Sequence, residues 1–318
     1  MQGTRVAYPR RWWRPSCPRH DRSAGDDRLG RHPRRPVHRQ EHPVSTESTP
    51  GTAGPAKIRL RHLQLAKQQG RPFSMLTAYD QFSAQAFEAA GVEVLLVGDS
   101  VGTTVLGHTS TTSTTHQDML TFTGAVARSV TRPLVVADLA FGTYESGPAE
   151  ALRHGVELVR AGAEAVKLEG GAEITAQVRA LVDAGIPVLG HLGFTPQSVN
   201  SLSGHRIQGR DEASARKLRE DALALQAAGA SAIVLELVPA AVAAEVTAAL
   251  DVPTIGIGAG PRCDGQVLVW QDMAGLSGFR GKFVKAFADL RGQLEQAARE
   301  YRAEVGERAY PGPEHSFD

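Results

Sequence analysis

From Lys57 onward the chain alternates two apolar patterns. Short runs rich in Val, Leu and Ile occupy residues 73–77, 92–97, 134–138, 165–168, 187–190, 232–235 and 253–257. Runs this short and this continuously apolar read as parallel strands buried on both faces. Between them lie longer stretches with helical spacing, at 81–90, 148–161, 172–184, 212–228 and 240–250. Gly91, Gly162, Gly185 and Gly229 close four of these at the place where a helix ends in a left-handed turn. Seven β/α units are explicit, and an eighth strand is expected within 267–274. No Gly-rich dinucleotide fingerprint follows the first strand, so the repeat predicts a (β/α)8 TIM barrel rather than a doubly wound sheet.

Composition changes this picture at one end only. Residues 1–44 carry 11 Arg, no Lys and 4 acids, leaving 24 basic against 30 acidic residues in 45–318. The tail has Trp12, Trp13, several Pro and His, and no apolar periodicity, so residues 1–55 are expected to be disordered and 56–318 to form the catalytic barrel with a C-terminal helical extension. An Arg-rich start raises the ideas of a nucleic-acid arm or a transit peptide. The absence of Lys, the scattered Asp and the lack of an amphipathic pattern argue against both. Translation from Val44, through a GTG codon, is the simpler expectation. No apolar stretch approaches the roughly 20 residues that span a bilayer, and Cys17 and Cys263 are too few and too far apart to suggest a disulfide framework. A cytoplasmic protein without membrane or nucleic-acid partners is expected.

The chemistry gathers at the strand ends. Asp80 follows the first apolar run, Asp99 and Ser100 the second, Asp138 ends the third, Lys167 and Glu169 the fourth, His191 follows the fifth and Glu236 the sixth. In a barrel these C-terminal ends converge on one mouth, where catalytic groups are found. A cluster of carboxylates repels itself unless a cation lies among them. Asp99, Asp138 and Glu169 are oxygen ligands of the kind a hard divalent ion such as Mg2+ prefers. A single Asp after a strand is more often a helix cap, but acids on three successive strands, each beside a small-residue turn, favour a site. Lys167 and Glu169 are two apart on one strand and share its inward face. Lys167 could be a Schiff-base nucleophile, a charge-balancing partner or, as we favour, an anchor for an anionic substrate. His191 is readable as a satisfied core histidine or a site residue. The glycines of 256–260 say only that backbone passes close to something, a ligand included.

Several motifs together carry a resemblance. Met75-Leu76-Thr77-Ala78-Tyr79-Asp80, Val97-Gly98-Asp99-Ser100, Val166-Lys167-Leu168-Glu169-Gly170-Gly171, Gly190-His191-Leu192-Gly193-Phe194-Thr195-Pro196-Gln197-Ser198, Val234-Leu235-Glu236, and the closing Glu314-His315-Ser316-Phe317 resemble the ketopantoate hydroxymethyltransferase family, in order and from about Lys57 to the C-terminus. The resemblance implies hydroxymethyl transfer from 5,10-methylenetetrahydrofolate to 2-oxoisovalerate, giving ketopantoate for pantothenate synthesis. It implies Mg2+ on Asp99, Asp138 and Glu169, and oxo-acid contacts from Asp99, Ser100, Asp138, Lys167 and His191. Glu236 would accept the proton, and a ring-like homo-oligomer, a decamer in the family, would be the assembly.

Two loops depart from the family pattern: Ser113 stands where a proline is usual, and Ser203-Gly204-His205 replaces a Gly-Gly-aromatic stretch. Both fall in expected lid loops. Two rival readings share parts of the pattern. A phosphoenolpyruvate mutase or isocitrate lyase-like barrel would also use Mg2+ and oxo-acid enolates, but no KKCGH-type catalytic loop is present. An Arg-rich nucleic-acid-binding protein on an acidic scaffold is the non-enzyme alternative, and its binding would fall steeply with salt.

Overall fold

The structure, a computed structural model, describes residues 56–202, 204 and 206–317; the expectations for the N-terminal tail and for Ser203 and His205 lie outside the described residues. The chain enters through α1 (Leu60–Gln68), β1 (Phe73–Thr77), α2 (Gln81–Ala89) and β2 (Val94–Val97). Then come α3 (Val101–Thr104), α4 (His116–Ala127), β3 (Leu134–Asp138), α5 (Pro148–Ala161), β4 (Ala165–Glu169), α6 (Thr175–Asp183) and β5 (Val188–Gly193). It ends with α7 (Glu212–Ala227), β6 (Ala232–Glu236), α8 (Ala240–Ala249), β7 (Thr254–Ile257), β8 (Gly265–Leu268), α9 (Trp270–Met273) and α10 (Leu290–Glu307). The eight strands are parallel and close on themselves in chain order, with β1 pairing β8.

Strand alternation sorts the core into two. Phe73, Met75, Val94, Leu96, Leu134, Val136, Ala165, Leu189, Ala232, Val234 and Ile255 form one cluster. These are alternate positions on successive strands, the set that faces the barrel axis. Leu63 and Ala66 of α1 join the same cluster, so α1 closes the bottom of the barrel. The intervening positions, among them Leu95, Val135, Val166, Leu168, Ile233 and Leu235, pack outward under the helices with Leu158, Val178, Leu181 and Leu225. Each fully buried aliphatic side chain contributes roughly 1.5–3 kcal/mol.

Three boundaries differ from expectation. The eighth strand is Gly265–Leu268, not 267–274, and residues 270–273 turn into helix. Its apolar signal is weak because only alternate residues, Gly265 and Val267, are buried, and Gly265 is required where a Cβ would strike the Phe73 ring at 2.5 Å. The 92–97 run begins its strand only at Val94, since the Val92 N–H still closes the α2 exit turn on Phe87 O. The 172–184 stretch is a 3-10 turn over Ala172–Ile174 followed by α6. Helix α4 carries little periodic signal, because its His, Gln and Thr positions blur the apolar face. All four predicted cap glycines take positive φ, between 83° and 116°.

Candidate active site

The upper ends of β3, β4, β5 and β6 continue the inward column with Asp138, Lys167, Glu169, His191 and Glu236, and the turn after β2 adds Asp99 and Ser100. Pairing fixes their heights: Asp138 lies beside Lys167, and Glu169 beside His191. All seven line one small chamber of about 110 Å³. Asp99, Asp138, Lys167, Glu169 and His191 are each no more than 5% exposed.

The contacts are close. Lys167 Nζ lies 3.0 Å from Asp138 Oδ1 and 3.3 Å from His191 Nδ1. His191 Nδ1 is 3.1 Å from Glu169 Oε1, while its Nε2 reaches to 3.2 Å from Glu236 Oε2, so the ring bridges two carboxylates. The Asp99 N–H donates to Asp138 Oδ2 at 3.0 Å. Asp138 Oδ1 is buried, and its close contact is the ion pair with Lys167. Ser100 Oγ is 2.8 Å from the buried Tyr79 hydroxyl.

Charge explains the protonation states. Burial pushes Asp99 up to about 7, helped by the negative charges of Asp138 and Glu169 and opposed by Lys167. Burial also raises Asp138, against the pull of Lys167. Burial works against the charge on Lys167 and on His191, but the surrounding carboxylates win at both: Lys167 is held above its ordinary value, and His191 rises to about 9. Glu169 is lowered, since His191 and Lys167 outweigh its burial. Four acids, Asp99, Asp138, Glu169 and Glu236, share the chamber with two basic groups, Lys167 and His191, so carboxyl groups outnumber basic ones by two. A divalent cation suits that imbalance. Asp99 Oδ1 accepts no hydrogen bond and is available as a ligand beside Asp138 Oδ1, whereas both oxygens of Glu169 are already engaged, by His191 and by the Gln197 N–H at 2.9 Å.

Residues 57–313 match the ketopantoate hydroxymethyltransferase family over the whole barrel. The chain belongs to the ketopantoate hydroxymethyltransferase family. It is 52% identical over 277 residues to the 3-methyl-2-oxobutanoate hydroxymethyltransferase of Leifsonia xyli subsp. xyli, covering 86% of this chain and 100% of that one. It is 55% identical over 266 residues to that of Acidothermus cellulolyticus, covering 83% and 97%. Among solved structures, phosphonopyruvate hydrolase complexed with oxalate and Mg2+ superposes with a TM-score of 0.54 at 15% identity, over 81% of this chain and 93% of that one. The 2,3-dimethylmalate lyase of the PEP mutase/isocitrate lyase superfamily gives 0.51 at 20%, over 81% and 91%. At such identity the likeness is one of fold alone, and the affiliation rests on the hydroxymethyltransferase family.

Within this family member, sequence reasoning missed the residues that hold the acids in place. Gln197 donates from Nε2 to Asp99 Oδ2 at 2.9 Å and to Leu139 O, and accepts at 2.6 Å from the Tyr144 hydroxyl, which also reaches Glu169 O. Gln197 sits in the Pro196-Gln197-Ser198 segment, a buried amide just after a strand end, which is a readable signal. Tyr144 had none. Thr114 Oγ1 donates to Asp99 O beside Ser113, which lies in a short 3-10 turn over Thr111–Ser113.

Asp80 does not join the mouth. It is exposed and caps α2, accepting from the Phe82 and Ser83 N–H groups. The 256–260 glycines make room for protein: a Cβ on Gly256 would lie 3.0 Å from Cys263 Sγ, on Gly258 3.2 Å from the Phe283 ring, and on Gly260 2.5 Å from Ala240 Cβ. Gly193, at φ 95°, is where β5 meets the end of β6, and a Cβ there would lie 2.2 Å from Glu236 O. Leu237 follows Glu236 in the left-handed region at φ 49°, a strained position of the kind found at functional sites. Away from the mouth, His116, His154 and Glu157 bring three ligand-type atoms within 4.8 Å, but Arg153 Nη2, 2.7 Å from His154 Nε2, fills the place a cation would take.

Proposed function

We propose that the chain is a 3-methyl-2-oxobutanoate hydroxymethyltransferase. In this reading it transfers the one-carbon unit of 5,10-methylenetetrahydrofolate to C3 of 2-oxoisovalerate, forming ketopantoate for pantothenate synthesis in the cytoplasm. The family match over 57–313 carries the activity. The excess of carboxyl over basic groups in the chamber, with Asp99 Oδ1 accepting no hydrogen bond, supports a divalent ion.

Asp99 and Asp138 would hold Mg2+, with Glu169 completing the charge of the set. Bound there, Mg2+ supplies electron withdrawal from the carboxylate and carbonyl oxygens of the oxo acid, which makes the C3 proton more acidic. The chain's own groups do the rest. Lys167 and Ser100 receive the anionic end of the oxo acid, beside Asp99 and Asp138. Glu236, least buried of the acids in the chamber, faces the open side and takes the C3 proton. His191, carrying its proton up to about pH 9, is a poor base; its place 3.2 Å from Glu236 aims that carboxylate. The carbon nucleophile attacks the folate's one-carbon unit and a C–C bond forms; both C–N bonds that tie this carbon to N5 and N10 of the folate break, water supplies the new hydroxyl, and the C3 proton and one water proton end on the two folate nitrogens.

A homo-oligomer fits α10, which buries no residue and leaves Leu294, Tyr301 and Val305 uncovered. The defining test is incubation of 2-oxoisovalerate and 5,10-methylenetetrahydrofolate with the enzyme. Ketopantoate should form, stop with EDTA and resume with Mg2+. No product in the presence of Mg2+ would refute the proposal.

A further inference from the structure

The oxo-acid chamber adjoins a second cavity of about 560 Å³, and the two share Ser100, Thr111, Pro196, Glu236, Ile257 and Val269. Such a volume suits a ligand far larger than 2-oxoisovalerate. Its apolar wall includes Leu237, Phe279 and Phe283, and the two rings offer faces on which a planar heterocycle can lie. One acid interrupts this wall. Asp272, half-buried on α9, accepts from the Ser277 hydroxyl with Oδ1, while Oδ2 has no hydrogen-bond partner and no cation pairs with the carboxylate among the described residues. Burial pushes this carboxyl above its usual range, the mark of an acid kept among apolar neighbours without a counter-charge.

We propose that this second cavity seats the ring system of the folate co-substrate and that Asp272 Oδ2 recognises its 2-amino-4-oxopyrimidine edge. That edge presents two N–H donors side by side, from the ring N3 and the 2-amino group. A carboxylate with an idle oxygen is their complement, and the hydrogen bonds are charge-assisted. The placement also satisfies the reaction. A ring lying against the phenylalanines with its amidine edge at Asp272 can turn its one-carbon end toward Glu236, the acid common to both cavities. The inference rests on the activity proposed above and assigns Asp272 as a specificity-determining residue that touches the donor, not the oxo acid.

The test compares the parent enzyme with Asp272→Asn and Asp272→Ala. In both variants the KM for 5,10-methylenetetrahydrofolate should rise by roughly 10–100-fold, the worth of charge-assisted hydrogen bonds at a partly buried site. The KM for 2-oxoisovalerate, and the folate-independent exchange of its C3 hydrogen in deuterated water, should stay at parental values. A merely structural role for Asp272 would disturb all three. A second measurement needs no variant: as competitive inhibitors of the parent, tetrahydrofolate should bind on the order of 10-fold or more tighter than its 2-desamino analogue. The variants should lose that preference. Equal binding of the two by the parent, or an unchanged folate KM in the variants, would overturn the assignment while leaving the proposed activity standing. A parent that neither exchanges the C3 hydrogen nor makes ketopantoate would show instead that the proposed activity is wrong.

Discussion

The lower half of the barrel interior holds Met75, Val94, Leu134, Leu189 and Ala232; the upper half, two or four residues further along the strands, holds Asp138, Lys167, Glu169, His191 and Glu236. Both halves are built by the same strand alternation. They differ in what burial does. In the lower half every position removes apolar surface from water and stabilises the fold. In the upper half burial strips ionisable groups of water and sets like charges against one another, as the rise of Asp99 to about 7 records, a pattern that marks a candidate functional site. Stability is concentrated below and chemistry above.

Moving one charge downward should break this division most severely. Val94→Asp puts an unpaired carboxylate between Met75 and Leu134 in a fully buried apolar layer and should cost more than about 4 kcal/mol, leaving little folded protein in a urea titration. Tolerance of this substitution would mean that the lower half is not a dry core. Removing the upper layer's cation comes next. Lys167→Met deprives Asp138 of its partner at 3.0 Å and should cost about 3–5 kcal/mol in EDTA at pH 8, with much of it recovered by Mg2+. A loss that Mg2+ does not relieve would argue against a cation in the mouth.

How far the sequence alone distinguished the halves depends on how local each signal was. The strands on buried continuous apolar runs were readable nearly to the residue. So were the acids, because an ionisable residue that ends a buried parallel strand can go only to the barrel mouth or to the cap of the next helix. Asp80 shows the limit. It too follows a strand, and only the direction of the chain into α2 decides that it caps a helix instead of facing the mouth. The network of Gln197 and Tyr144 depends on residues 53 apart meeting over Glu169, which no spacing rule reveals. The β8 strand was blurred for a related reason, since its glycine is set by contact with Phe73 rather than by periodicity.

A gentler perturbation sharpens the comparison. Asp99 has an ordinary value of 3.8 and a folded value of about 7, so its contribution to stability is full below pH 4 and is lost as the pH rises through 7. His191, raised from 6.5 to about 9, acts in the same direction between those values. Glu169, lowered from 4.5, opposes them only in acid, where its contribution is lost as the pH falls through its folded value. Metal-free enzyme should therefore lose thermal stability steadily from about pH 5 to 9. Asp99→Asn should flatten the part below pH 7, make the metal-free protein more stable by roughly 1–3 kcal/mol at pH 8, and abolish the gain from Mg2+. The same slope in the parent and in Asp99→Asn would show that Asp99 is not the strained acid.

The central claim is that the upper layer divides its labour, with Asp99 and Asp138 serving the cation and Glu236 the proton. Hydrogen exchange at C3 of 2-oxoisovalerate in deuterated water, with Mg2+ and without folate, isolates the proton step. The parent should exchange that hydrogen. Glu236→Gln preserves shape and one hydrogen-bonding oxygen but cannot accept a proton, so it should bind Mg2+ and the oxo acid much as the parent does and exchange roughly 10²–10⁴-fold more slowly. Exchange at the parental rate in Glu236→Gln would contradict the account and pass the proton to another group, with His191 the nearest, 3.2 Å away.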